Sequence, residues 1–108
     1  MHRDMKPENI CIGQGKKSNV VFLIDFGLSK RYLCPKSGDH ITYRDDKGIV
    51  GTVKYLSLNS HLGAEHGRRD DLEALTNILI YFFNGGILPW DIKKPLMHDI
   101  DMKDPKAY

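Results

Sequence analysis

The run from Asp70 to Phe83 limits what this chain can fold into more than any other segment. Leu72, Leu75, Ile78, Leu79, Ile80, Tyr81, Phe82 and Phe83 follow one another so densely that a helix made of them keeps almost no polar face. It must be surrounded on most sides, which makes it the central helix of something larger. Asp70 with Glu73 three residues later resembles a capping box, and Gly85-Gly86 is a suitable stop, so the helix is expected over about 70–84. With 108 residues the chain has room for one core. It can bury roughly two-thirds of the surface its unfolded form exposes.

Upstream of the helix the period changes. Ile10–Ile12 and Val20–Ile24 are β-branched or aromatic runs separated by the polar stretch Gly13–Asn19, a hairpin pattern over 10–24. Antiparallel pairing makes the residue before the first strand, Asn9, a neighbour of the residue after the second, Asp25. From Phe26 to Ser57 no period is sustained, and glycines and prolines punctuate the run. Segments of that length without regular structure are functional or disordered. Asn59–Arg69 is expected as turn and loop because Gly63 and Gly67 weaken a helix there. The last stretch, 91–108, reads as an irregular tail opposed to long helices by Pro95 and Pro105.

A formal charge of +2 is too mild for a nucleic-acid surface. No stretch approaches the 18 or more apolar residues of a membrane span. Cys11 and Cys34 stand apart without metal-ligand or disulfide spacing, which suits a reducing, intracellular setting in cytoplasm or nucleus. Neither thiol has a basic partner or helix start that would activate it.

Chemistry is concentrated before the helix. His2-Arg3-Asp4-Met5-Lys6-Pro7-Glu8-Asn9 fits the protein-kinase catalytic loop H-R-D-x-x-x-x-N, and Asp25-Phe26-Gly27 fits D-F-G, in the right order and joined by the hairpin. Phosphoryl transfer from ATP relies on alignment of the acceptor hydroxyl and neutralisation of phosphate charge by Mg²⁺. Asp4 would orient or accept the hydroxyl proton. Asn9 and Asp25 would hold the metal through hard oxygen atoms and thereby the nucleotide. Lys6 would approach the transferring phosphate, and lysine at this place resembles serine/threonine rather than tyrosine kinases. His2 is expected behind Phe26, and Arg3 is expected to brace the activation segment, 25–59.

The resemblance sharpens downstream. Gly51–Gly63, Arg68-Arg69-Asp70-Asp71-Leu72-Glu73 and Leu88-Pro89-Trp90 are similar to the casein kinase 1 family, with Ser57-Leu58-Asn59 standing where that family has S-I-N and other kinases A-P-E. The tau-tubulin kinases are the nearest alternative, but His40-Ile41-x-Tyr43-Arg44 favours casein kinase 1. The resemblance covers His2 to about Lys94. It implies an α+β, partial protein-kinase-like fold, a mostly helical C-terminal-lobe piece with one β-hairpin. It also implies that Thr52 bonds toward Asp4 and Lys6, and that Asp71 accepts hydrogen bonds from the catalytic-loop backbone. Lys47, Lys54 and Lys94 match positions lining a basic pocket for protein substrates that carry an acidic or phosphorylated residue before the target. Lys54 replaces the usual arginine and so offers a point charge without a bidentate fork. Thr76 stands where most relatives have glycine.

No G-x-G-x-x-G and no V-A-I-K occur in the 108 residues. The chain is therefore expected to be part of a kinase domain, inactive and marginally stable alone, with Met1 an apparent start inside a longer frame. Two other readings stay open. One is a non-catalytic remnant binding acidic or phosphorylated segments, the other a small-molecule phosphotransferase, against which Lys6, Gly27 and Gly51-Thr52 argue.

Overall fold

A computed structural model describes residues 1–91. Lys94 and the 92–108 part of the tail lie outside the described residues. The fold is α+β: one antiparallel hairpin, a long irregular segment and one main helix. Strands β1 (Ile10–Ile12) and β2 (Val21–Leu23) pair with Ile10 opposite Leu23 and Ile12 opposite Val21. The connection is tighter than its composition suggests, because Gly15–Lys17 forms a 3₁₀ turn.

Helix α1 (Leu58–His61) lies in the stretch expected as loop. Ser57 caps it by accepting the Ser60 N–H at 3.1 Å, so a local side chain outweighs the glycine that follows. Helix α2 runs Arg68–Phe83 and begins two residues before the expected Asp70. The reason lies in Asp70, which serves the third helical position rather than the cap. Its carboxylate accepts the Gly67 N–H at 2.7 Å and the Ser57 hydroxyl at 2.6 Å. Glu73 instead reaches across to accept the Leu58 N–H at 3.1 Å, linking the two helices. At the far end Gly85 and Gly86 adopt φ of 66° and 86°, the left-handed backbone that stops a helix.

Packing is one-sided. Asp70, Ala74, Asn77 and Ile78 form the buried stripe of α2, and the core is the cluster Tyr55, Ile78 and Leu88, flanked by Met5, Ile10 and Tyr81. Leu72, Leu79 and Phe82 are exposed, and Phe83 is 90% exposed. Among the described residues the helix is thus covered along one stripe, not on most sides as its composition demands. The radius of gyration, 18.4 Å, agrees with this openness, since a compact chain of this length would measure about 13 Å.

The 25–59 segment is irregular yet anchored. Leu33 and His40 form an isolated bridge, the Lys47 N–H donates to Gly63 O at 3.0 Å and the Glu65 N–H donates to Arg44 O at 2.6 Å. Asn77 of α2 holds its end by donating to Tyr55 O at 3.0 Å and Leu56 O at 3.4 Å.

Candidate active site

The catalytic loop is pinned from behind by α2. The Asp71 carboxylate accepts the backbone N–H of His2 at 2.7 Å and of Arg3 at 2.9 Å. These bonds hold Arg3 at φ 70°, a left-handed conformation that costs a residue with a Cβ about 1–2 kcal/mol. The bend turns residues 4–9 away from the helix. Arg3 then sends its side chain the other way, Nε donating to Leu28 O at 2.6 Å, so one residue ties loop and activation segment together.

His2 is buried and acts as a spacer. Nε2 donates to Ile24 O at 2.8 Å while Nδ1 accepts the Asp4 N–H at 3.1 Å. A carbonyl can only accept, so the ring proton sits on Nε2. The ring packs against Phe26 in a T-shaped contact with ring centroids 5.4 Å apart. The imidazole therefore connects Asp4, the end of the hairpin and Phe26.

Asp4 is the convergence point. Its Oδ1 accepts both the backbone N–H of Thr52 at 3.1 Å and the Thr52 hydroxyl at 2.7 Å. Its Oδ2 accepts the Asn9 amide at 3.4 Å and lies 3.6 Å from the Lys6 ammonium. The carboxylate plane is thereby fixed from two loops 48 residues apart in sequence. Thr52 arrives there because Gly51, at φ 98°, brings its backbone against the Arg3 carbonyl where a Cβ would collide.

Asn9 is 4% exposed. Its amide nitrogen is committed to Asp4, donating also to the Asp4 carbonyl at 2.9 Å, which leaves Oδ1 as the atom without a bond among the described residues. The hairpin carries it to Asp25: Ile24 N–H donates to Asn9 O at 2.9 Å, one residue before the aspartate. Asp25 itself has φ 59°. One of its oxygens accepts the Gly27 N–H at 3.2 Å, and the other has no partner among the described residues. Two free hard oxygens from neighbouring loop ends suit a magnesium ion, which takes one or two protein ligands and completes its octahedron with phosphates and water.

Both described lysines of the expected basic pocket lie beside carboxylates. Lys47 lies 3.6 Å from Glu65 and Lys54 lies 3.3 Å from Asp91. Glu65 also receives Lys30 at 3.0 Å. Burial opposes its charge, but the Lys30 hydrogen bond and the two ammonium groups outweigh that and hold its carboxyl below the ordinary range. Neither Glu65 nor Asp91 belongs to a recognisable motif, and no periodicity marks them. Trp90 also joins the site by function of place, its indole donating to Lys54 O at 2.8 Å.

A family model described as fungal protein kinase matches residues 1–83, a span that contains the catalytic loop, the hairpin, the activation segment and α2.

Proposed function

The chain belongs to the fungal protein kinase family, and from that premise we propose that Asp4, Lys6, Asn9 and Asp25 catalyse transfer of the ATP γ-phosphate to serine or threonine hydroxyls of proteins. The observation that carries this reading is the clamp on Asp4. Thr52, which sits in the segment expected to receive substrate, donates to Asp4 Oδ1 through both its backbone N–H and its hydroxyl, so the carboxylate of the proposed base and the acceptor loop share one frame. Phosphoryl transfer depends on such alignment more than on covalent chemistry.

In this reading Asp4 Oδ2 orients the acceptor hydroxyl and receives its proton as the bond to phosphorus forms. Lys6, at 27% side-chain exposure beside Asp4, faces the transferring phosphate with a compact positive charge. Asn9 Oδ1 and the free oxygen of Asp25 would hold Mg²⁺, which would supply neutralisation of the phosphate charge. The acceptor class rests on Lys6, and the casein kinase 1 type rests on the resemblance of Gly51–Gly63 and Arg68–Glu73. Substrates with acidic or phosphorylated residues before the target follow from Lys47 and Lys54, with Lys94 beyond the described residues. Cytoplasm or nucleus is the proposed setting.

The lobe that would roof ATP is not written in these 108 residues, so the proposed catalyst is a kinase domain containing them. The test is transfer of radiolabelled phosphate to casein by such a domain, wild type against Asp4→Asn. Loss of about 10²-fold or more is expected for removal of a positioned proton acceptor, and equal rates would refute the assignment. Transfer by the 108-residue chain alone, abolished by Asp25→Ala, would contradict the division of labour.

A further inference from the structure

Asn77 is out of place by the rules that build the rest of α2. An amide is a poorer helix former than the leucines around it and is costly to bury unless its hydrogen bonds are made. Yet Asn77 is 9% exposed and precedes Ile78, the most buried side chain of the helix at 1%. Its amide nitrogen donates to Tyr55 O at 3.0 Å and Leu56 O at 3.4 Å, and Trp90 Nε1 donates to Lys54 O at 2.8 Å. Three consecutive carbonyls are thus met from outside their own segment. They end the 3₁₀ turn Val53–Tyr55, whose last C=O groups find no partner within the turn.

That turn is where the two halves of the site meet. Its N-cap residue is Thr52, and the Tyr55 N–H closes it by donating to Thr52 O at 3.1 Å. Thr52 in turn donates to Asp4 Oδ1 through its N–H and its hydroxyl. A short ladder of hydrogen bonds therefore runs from Asn77 to the carboxylate. The Tyr55 ring, packed with Ile78 and Leu88, sets the depth of the turn but not its roll, because apolar contact is non-directional. Room to roll exists, since Val53, Lys54 and Leu56 border an open cavity of about 880 Å³ that Asn77 and Trp90 also line. The directed donors of Asn77 and Trp90 fix the roll that packing leaves free.

The same helix grips the other half. Asp71 accepts the His2 and Arg3 N–H groups, and it lies about 9 Å before Asn77 along the helix axis. Resting on the reading of Asp4 as the base and of the Thr52 segment as the acceptor loop, we propose that Asn77 is a positioning residue for phosphoryl transfer: with Trp90 it sets the roll of the acceptor loop, and through Thr52 the orientation of the Asp4 carboxylate. Asn77 acts through the turn and not on the reacting atoms. A turn rolled away from Asp4 misplaces the acceptor and releases Asp4 Oδ1, while the Asn9 and Asp25 oxygens assigned to the metal keep their places.

Initial-rate kinetics of a kinase domain containing the chain, with casein and ATP varied in turn, test this on Asn77→Leu. Displacement of about 1 Å costs on the order of 10²-fold, so kcat/KM for casein should fall roughly 10- to 100-fold. KM for casein should rise while KM for ATP stays within about twofold of wild type. Simple loss of folded enzyme lowers the maximal rate and leaves both KM values unchanged. That pattern, or an equal rise in both KM values, overturns the proposal. Trp90→Phe removes one donor at an exposed site and should give the same split at smaller amplitude, about two- to tenfold; if Asn77→Leu does not fold, this variant decides. Thr52→Val removes the hydroxyl that carries the effect, so adding Asn77→Leu to it should cost less than in the wild-type background. Full additivity means that Asn77 acts by another route and strikes its role. Equal rates for wild type and Asp4→Asn remove the kinase reading and the inference with it, whereas an inactive Asp4→Asn beside an unaltered Asn77→Leu removes the inference alone.

Discussion

Replacing Asp71 with alanine removes both acceptors that pin the catalytic loop to α2. Each lost bond joins a backbone N–H to a carboxylate, an interaction worth about 1.5–3 kcal/mol. Both donors are part-buried at 2.7 and 2.9 Å, so the lower figure taken twice gives about 3 kcal/mol. Arg3 would then relax from φ 70°, which recovers some strain but moves the chain that leads to Asp4. A domain of this size has a stability of roughly 5–15 kcal/mol, so the loss is a large share of it. Urea unfolding followed by Trp90 fluorescence reads the effect. With a slope of about 1–3 kcal/mol per molar, the midpoint should fall by roughly 1–3 M. Thr76→Ala is the control on the same helix, because Thr76 is exposed and its hydroxyl merely donates to Leu72 O of its own turn at 3.0 Å. If Asp71→Ala shifts the midpoint no further than Thr76→Ala does, the two bonds do not hold the loop and the account of its geometry is wrong.

Three further outcomes follow from other contacts. Gly51→Ala should destabilise the chain and separate Thr52 from Asp4, since φ 98° and the Arg3 carbonyl both exclude a Cβ; a shift of the Thr52 amide resonance relative to wild type would show it, and an unchanged spectrum would speak against it. Asn77→Leu should cost about 1–3 kcal/mol by stranding the Tyr55 and Leu56 carbonyls, measurable as an earlier urea midpoint. His66 is buried with Nε2 unpartnered, and desolvation lowers its pKa below the ordinary 6.5. Its neutral form is favoured in the folded chain, so its contribution to stability is complete above 6.5 and is lost as pH falls through the lower folded value. His66→Gln should flatten the acid side of the stability profile, and parallel profiles for variant and wild type would contradict that origin.

The parts legible in the sequence are those governed by local rules. β-Branched and aromatic runs on either side of a polar turn announced the hairpin, and with it the approach of Asn9 to the end of the second strand. The helix was visible from density of apolar residues and from Gly85-Gly86. Its start was misplaced because Asp70 and Glu73 look like a capping box, whereas Asp70 caps from the third position and Glu73 serves Leu58 in another element. A pattern three residues apart does not reveal which loop will supply the donor. Helix α1 was hidden for a similar reason, as a single serine side chain decides it. In the site, Asp4 and Thr52 could be paired through family resemblance, but their shared oxygen is a product of long-range closure. The carboxylates opposite Lys47 and Lys54 were invisible, since charge complementarity across 18 and 37 positions leaves no trace in spacing.

Helix α2 has two ends with different duties. Its first turn carries Asp71, the datum from which the catalytic loop is measured, while its last turn leaves Phe82 and Phe83 bare. A rigid rod transmits displacement along its length, and ångström-scale misplacement of a reacting group is enough to cost about 10²-fold in rate. Whatever tilts the greasy end of the rod therefore shifts Asp4 at the other, and the placement of the proposed base becomes a property of how the helix is seated as a whole.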